Sequence, residues 1–308
     1  MQGSSAVGAA VAATGGLYVT ALVGAPVSTV LLPFVPLPGL LLGGRHGEGA
    51  LVACVGLSTM LAALLLGVEP ALTYLLALGA PTLAATAALR RGWSVERTVL
   101  LGAAAWSVAV MVLLLAEFGS PAQIVAGVRD RLQESFDLAV ATSRGLGITD
   151  DVASDLAAAR DGTIGAVLAI LPAALATAGA FTMLLNVLIV RGFLPWLRAS
   201  DLRIWSAPPT LIWAFIVAGF GMFIPGPGVW IVAANAFIVA ASCYLCQGLA
   251  IVSFYLERFH LGRGLRVATY ALIITQQPLL LIVLLLGVFD LWVNFRRLGV
   301  ATEIDVDE

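Results

Sequence analysis

Lysine is absent from this chain of 308 residues, and all sixteen of its basic residues are arginines. That excludes a P-loop lysine, hence an ATPase of its own, and a Schiff-base lysine. Histidine is almost absent: His46 and His260 fall at predicted helix ends among arginines, so no histidine-based metal site is expected. The three cysteines, Cys54, Cys243 and Cys246, all lie inside apolar runs and do not form a disulfide framework. Cys243 and Cys246 are three apart, but nothing nearby supplies the other ligands of a closed zinc site, which leaves small apolar packing. Charge is scarce too, at 11% of residues with a net of −2, so no basic face exists for nucleic acid. Neither a His-Glu-x-x-His nor a Gly-x-Ser-x-Gly motif occurs. We therefore expect no catalytic residues, no metal, no cofactor and no enzyme.

What is present is apolar sequence. Hydrophobic residues make up 60% of the chain and the mean hydropathy is +1.02. The first charge is Arg45, and charge-free runs cover Gly49–Val68, Pro70–Leu89, Thr98–Ala116, Gly162–Val190, Ile204–Leu256 and Val267–Phe289. A helix needs about 20 apolar residues to cross the hydrocarbon core, so the fold class is an all-α polytopic transmembrane bundle. Ala6–Ala25 predicts a first helix, retained because no positive segment precedes it. Val27–Leu42 carries Pro33, Pro36 and Pro38 and either crosses as a kinked helix or re-enters the same face. Helices follow over about 50–67 and 70–89, and a third starts at Ser94, a candidate N-cap, and runs to about Ala116.

Residues 118–162 are the only long polar stretch, with seven acidic residues against Arg129, Arg131, Arg144 and Arg160. Ser120-Pro121 and the spacing of Ile124, Val128, Leu132, Phe136 and Leu138 or Val140 predict one amphipathic helix, closed by Gly145 and Gly147. Thr149 could cap the next helix, which continues into Thr163–Val190. Ile204–Leu256 is cut by Pro225-Gly226-Pro227-Gly228, and a last span covers about 266–289. Arginines cluster in alternate loops, which puts those loops inside and the acidic island outside. The count is nine spans, or eight if the proline-rich stretch re-enters. The nine-span path leaves Arg296 and Arg297 outside.

Several stretches together resemble a family. Val27-Ser28-Thr29-Val30-Leu31-Leu32-Pro33 running into Pro36-Leu37-Pro38, then Arg45-His46-Gly47, Gln247-Gly248-Leu249, Leu286-Gly287-Val288-Phe289-Asp290 and Asn294-Phe295-Arg296-Arg297 resemble the YybS-like bacterial multi-pass membrane proteins. That family in turn looks distantly similar to the substrate-binding S components of energy-coupling-factor transporters. The resemblance implies a bacterial inner-membrane protein with a six-helix module over residues 1–190, a C-terminal three-span region over 191–297 and an acidic tail, 298–308. It also implies a ligand pocket beneath the turn at Gly24–Ser28 and the acidic island, and separate transmembrane and ATPase partners. The first helix of such a module docks a partner through small residues, here Ala6, Ala9, Ala10 and Ala13, although such a stripe is equally what plain helix packing uses.

Candidate pocket residues are Tyr18, Thr20, Ser28, Thr29 and Pro33 at the junction of the first two segments, with Gln276 and Gln277 beside Pro278. Asn186, Asn235, Tyr244 and Gln247 read as interhelical hydrogen-bonding groups. Asp290 reads as an ion-paired helix terminus, and Glu69 and Glu117 as solvated span ends. Two functions are expected to compete: a small-solute-binding transport subunit without its own ATPase, and a membrane scaffold or envelope assembly protein with no solute.

Overall fold

Single glycines and clustered prolines cut the apolar sequence into helices, and the computed structural model shows where each cut falls. It describes residues 2–23, 28–145, 150–194 and 202–296, among which every regular element is helical. The chain divides into two units, Met1–Ser200 and Asp201–Glu308.

In the first unit α1 (Gln2–Val23) is followed by α2 (Ser28–Leu31), a 3-10 turn (Leu32–Phe34) and α3 (Pro36–His46). Proline lacks the N–H that an α-helical ladder needs, so Pro33 and Pro36 divide this stretch into short pieces. The carbonyl of Pro33 is recovered from a distance: the fully buried Asn186 donates Nδ2 to it at 2.7 Å and to Thr182 O at 2.7 Å. Next comes α4 (Glu48–Leu66), joined to α3 by Gly47 alone and to α5 (Val68–Thr73) by Gly67 alone. Their φ angles of 96° and 98° lie where side chains are disfavoured, so one residue suffices to turn the chain. A π-turn (Tyr74–Gly79) links α5 to α6 (Ala80–Arg90), making one interrupted helix. Ser94 caps α7 (Val95–Phe118), accepting the Arg97 N–H at 3.4 Å.

The core of this unit gathers Tyr18, Val35, Leu51, Val55, Ala62, Ala71, Tyr74 and Leu78, drawn from α1, the α2–α3 stretch, α4 and the interrupted helix. Helix α7 packs antiparallel on α9 (Asp150–Phe193), with Gly102 against Met183 and Gly179 against Trp106. Extending that register sets Phe118 abreast of roughly Val167, so the first turns of α9 continue past the end of α7. Helix α8 (Pro121–Gly145) packs on that extension through its Ile124 face. Arg160 bonds Asp137 at 3.1 Å, Arg131 pairs with Glu117, and Phe118 seats on Gly127. The acidic island is thus a two-helix hairpin standing on the bundle end. Thr149 and Gly147, between α8 and α9 in the sequence, lie outside the described residues.

In the second unit a 3-10 turn (Leu202–Ile204) leads to α10 (Leu211–Gly221), α11 (Pro227–Arg258), α12 (Arg263–Thr275) and α13 (Gln277–Val293). Helix α10 lies antiparallel on α11, with Gly221 against Ala233 and the Phe215 and Phe237 rings 4.7 Å apart. Helices α11 and α13 cross where Gly248 meets Gly287. A methyl group at either would strike a carbonyl of the other helix, Val283 or Tyr244.

Among the described residues, six helices are long and apolar enough to cross a membrane: Ser4–Val23, Glu48–Leu66, Val68–Arg90, Val95–Phe118, Ala158–Phe193 and Pro227–Arg258. Helices α12 and α13 make a seventh if counted as one, but they are bent by 101°. The expected eight or nine exceed this because the proline-rich stretch is broken into short helices and α10 has 11 residues, too few to cross alone.

Candidate functional site

Each unit holds one buried polar centre. In the first, Thr14 and Tyr18 lie one turn apart on α1, Cys54 and Ser58 one turn apart on α4, and Tyr74 opens the π-turn. All five are buried, and the Tyr18 and Tyr74 rings stand 5.2 Å apart. Tyr18 donates its hydroxyl to Pro70 O at 2.7 Å. The Cys54 thiol faces both Thr14 and Ser58, and Ser58 also faces the Tyr74 hydroxyl. Neither Thr14 Oγ1 nor Ser58 Oγ reaches hydrogen-bond geometry with another protein atom. Thr98 Oγ1 shares that state. Thr59, Thr82, Thr86 and Ser107 all donate to the carbonyl four residues back, at 2.6 to 2.8 Å. Thr14 and Ser58 instead leave their own helices unbonded and aim into the cluster. Their nearest polar neighbours are inside the cluster, the Cys54 thiol for both and the Tyr74 hydroxyl for Ser58.

Of these five residues Tyr18 is an expected pocket residue and Cys54 is expected only within an apolar run, whereas Thr14, Ser58 and Tyr74 carry no expectation. The signal was available: two polar pairs at i, i+4, each on one face of an otherwise Ala/Leu/Gly helix.

The second centre is charged and densely hydrogen-bonded, with Arg296 Nε left without a partner. Asp290 Oδ2 accepts from Arg296 Nη2 at 2.6 Å and from Gln247 Nε2 at 3.1 Å, and Oδ1 accepts the Phe295 N–H at 2.9 Å. Gln247 Oε1 accepts the Ala207 N–H at 2.9 Å. Arg296 Nη1 donates to Arg203 O at 2.7 Å and Trp205 O at 2.8 Å. Its side chain is 0% exposed and that of Asp290 5%. The chain can reach these partners because Asn294 takes a left-handed conformation, φ 46°, and turns Phe295 and Arg296 back onto α13. Tyr255 Oη donates to Phe295 O at 2.8 Å, and Arg203 pairs with Glu257. Arg296 therefore sits at the end of the unit that holds Arg203 and Arg258. The nine-span path puts it at the opposite end, and the sharp bend between α12 and α13 is why the two differ.

Other expected site residues are dispersed. Thr20 is exposed, the Pro33 carbonyl is occupied by Asn186, and Gln276 and Gln277 are exposed at the bend of the second unit. The turn at 24–27 and the side chains of Ser28 and Thr29 lie outside the described residues, as does Arg297. Of the small residues on α1, Ala10 and Ala6 pack against Leu42, Cys54 and Ala50, whereas Ala9 and Ala13 face outward with Ser5, Gly8, Ala12 and Gly16. Asn235 bonds its own helix at Ile231 O, 2.8 Å away. Cys243 and Cys246 are free thiols on α11.

Comparison with known proteins returns one family model, described as a predicted membrane protein family, DUF2232, which matches residues 16–291. No curated protein and no solved structure matches. The matched stretch takes in Tyr18, Cys54, Ser58, Tyr74, Gln247 and Asp290, while Thr14 and the outward alanines of α1 precede it. With nearly its whole length under that model, the chain belongs to the DUF2232 family of predicted membrane proteins.

Proposed function

We propose that this chain is a small-solute-binding membrane subunit without chemistry of its own, that its solute sits in the first unit, and that it works with separate energising subunits. The observation that carries this is the buried hydroxyl cluster, in which Thr14 and Ser58 have only the Cys54 thiol and the Tyr74 hydroxyl as weak partners, beside two tyrosines. An uncharged molecule bearing hydrogen-bonding groups would complete them, and the aromatic rings would cover its apolar part. The outward face of α1, with Gly8, Ala9, Ala12, Ala13 and Gly16, supplies the close-approach surface on which a partner transmembrane helix would pack. Under this reading the chain is the S-component-like member of an energy-coupling-factor assembly in a bacterial inner membrane. The six long apolar helices together with the proline-rich stretch and α10 then make eight crossings.

The test is gentle-detergent purification followed by mass spectrometry of what the protein releases. The expected result is a small molecule in near-stoichiometric yield that falls at least tenfold in a Thr14→Val/Ser58→Ala variant, with transmembrane and ATPase subunits in the pulldown. Release of lipid and detergent alone would refute it.

The hairpin of α8 and α9 favours a second reading. A helical projection with exposed Val125 and Leu138 and ion pairs along its length is suited to holding another protein. A pulldown that loses its partner when residues 121–160 are replaced, with no released solute, would support a scaffold or envelope-assembly role instead.

A further inference from the structure

We propose that α12 and α13 form a re-entrant hairpin, entering and leaving the membrane by the Arg203/Arg258 side, with its Gln276–Pro278 apex wetted by an aqueous vestibule inside the bilayer. This is independent of the solute site in the first unit. The outer ends of both legs are fastened to the same groups. At the α12 end Arg266 Nη1 lies 3.8 Å from Glu257 Oε2, and its Nε donates to Leu261 O at 2.9 Å. At the α13 end Phe295 is bound by Tyr255, two residues before Glu257, and Arg296 is bound by the carbonyls of Arg203 and Trp205. Arg203 closes the loop by pairing with Glu257. A chain that leaves from Glu257 and returns to it has not crossed.

The bend of 101° folds the legs to a little under a right angle. At 1.5 Å per residue the legs are about 20 and 26 Å long, which stands the apex about 17 Å from the line joining their outer ends, roughly half of the ~30 Å hydrocarbon core. The backbone at the apex is irregular. Gln276 is extended, the N–H groups of Leu279 and Leu280 both turn to its carbonyl, and Pro278 has no N–H to offer. The last carbonyls of α12 thus lose the donors an unbroken helix would give them. Irregular backbone at membrane depth persists only when it is buried in protein or lines a water-filled cavity. Within the structure Gln276, Gln277 and Pro278 are all exposed. Protein does not cover them, so water does, and the two exposed amides are the groups that would contact small polar solutes entering with it.

The experiment uses the full chain, with Cys54, Cys243 and Cys246 changed to Ala, in sealed vesicles of defined orientation. Single variants Gln276→Cys, Gln277→Cys, Glu69→Cys and Leu281→Cys are treated with a small quaternary-ammonium thiosulfonate from each side, and a reporter is fused after the C-terminus. The expected result is modification of both glutamine-site cysteines at least tenfold faster than Leu281→Cys, an exposed apolar position one turn away, with the reporter on the Arg203 side. As a check that does not rely on the substitutions, backbone amides of 274–280 in the natural sequence should exchange with solvent deuterium at least tenfold faster than those of 283–288 in lipid nanodiscs. A rate equal to Leu281→Cys from both sides, slow exchange at 274–280, or a reporter on the side of Glu69 would each overturn the proposal.

Discussion

The two polar centres differ in what they have left to give. In the second unit every oxygen of Asp290 and Gln247 is engaged, and the guanidinium of Arg296 is bonded on both terminal nitrogens, its Nε alone lacking a partner. In the first unit there is no charge in the cluster, and two of its hydroxyls have only a thiol and a tyrosine hydroxyl beside them. A saturated buried network holds helices together, and a further ligand would have to compete with bonds already made. A weakly bonded one recovers less of its desolvation inside the chain, and under the proposed function a solute would supply the missing bonds. Both are small islands in apolar surroundings, so polarity alone does not tell them apart. Satisfaction does.

Four substitutions would break or sharpen that contrast. The largest effect is expected at Arg296→Leu, which strands Asp290 as a buried, uncompensated carboxylate; the loss should be about 3–5 kcal/mol, read as a fall in melting temperature in detergent, with Asp290→Leu/Arg296→Leu recovering part of it. Next, Gly287→Ala drives a methyl group into the Tyr244 carbonyl and should cost about 1–3 kcal/mol, visible as loss of a monodisperse peak in size exclusion. A milder cost, about 0.6–2 kcal/mol by thermal shift, is expected of Asn186→Leu, which removes the group that completes the Pro33 carbonyl. The smallest change, and one of opposite sign, is expected for Thr14→Val with Ser58→Ala. Deleting unpaired buried hydroxyls should leave ligand-free stability unchanged or raise it by up to about 1 kcal/mol. A clear destabilisation there would mean that the hydroxyls are bonded after all and that the two centres are alike.

Much of the fold could be read from the chain because charge and glycine punctuate it. Arg45, Arg90 and Arg91 sit where helices end, Ser94 caps α7, and the pattern of Ile124, Val128, Leu132 and Phe136 marks the buried side of α8. Two stretches singled out by their resemblance to a family also meet: Gln247-Gly248 lies directly against Gly287 and Asp290. What could not be read were long-range pairings that leave no periodic trace. Nothing local links Asn186 to Pro33, 153 residues away. Nor does hydropathy register direction: residues 267–289 have the composition of one crossing helix, and only the extended Gln276 and the anchoring of Arg296 reveal that the path doubles back. The hydroxyl cluster was hidden for another reason. Thr and Ser normally return their protons to their own helix, so a membrane-embedded hydroxyl says little until its bond is seen to be missing.

The single-residue joins at Gly47 and Gly67 bear on how such a protein is made. With one glycine between α3 and α4 and one between α4 and α5, there is no loop long enough to wait on the far side of the bilayer while the next helix emerges from the ribosome. With α4 tied at both ends by a single residue, the placement of any one of these three helices constrains the next.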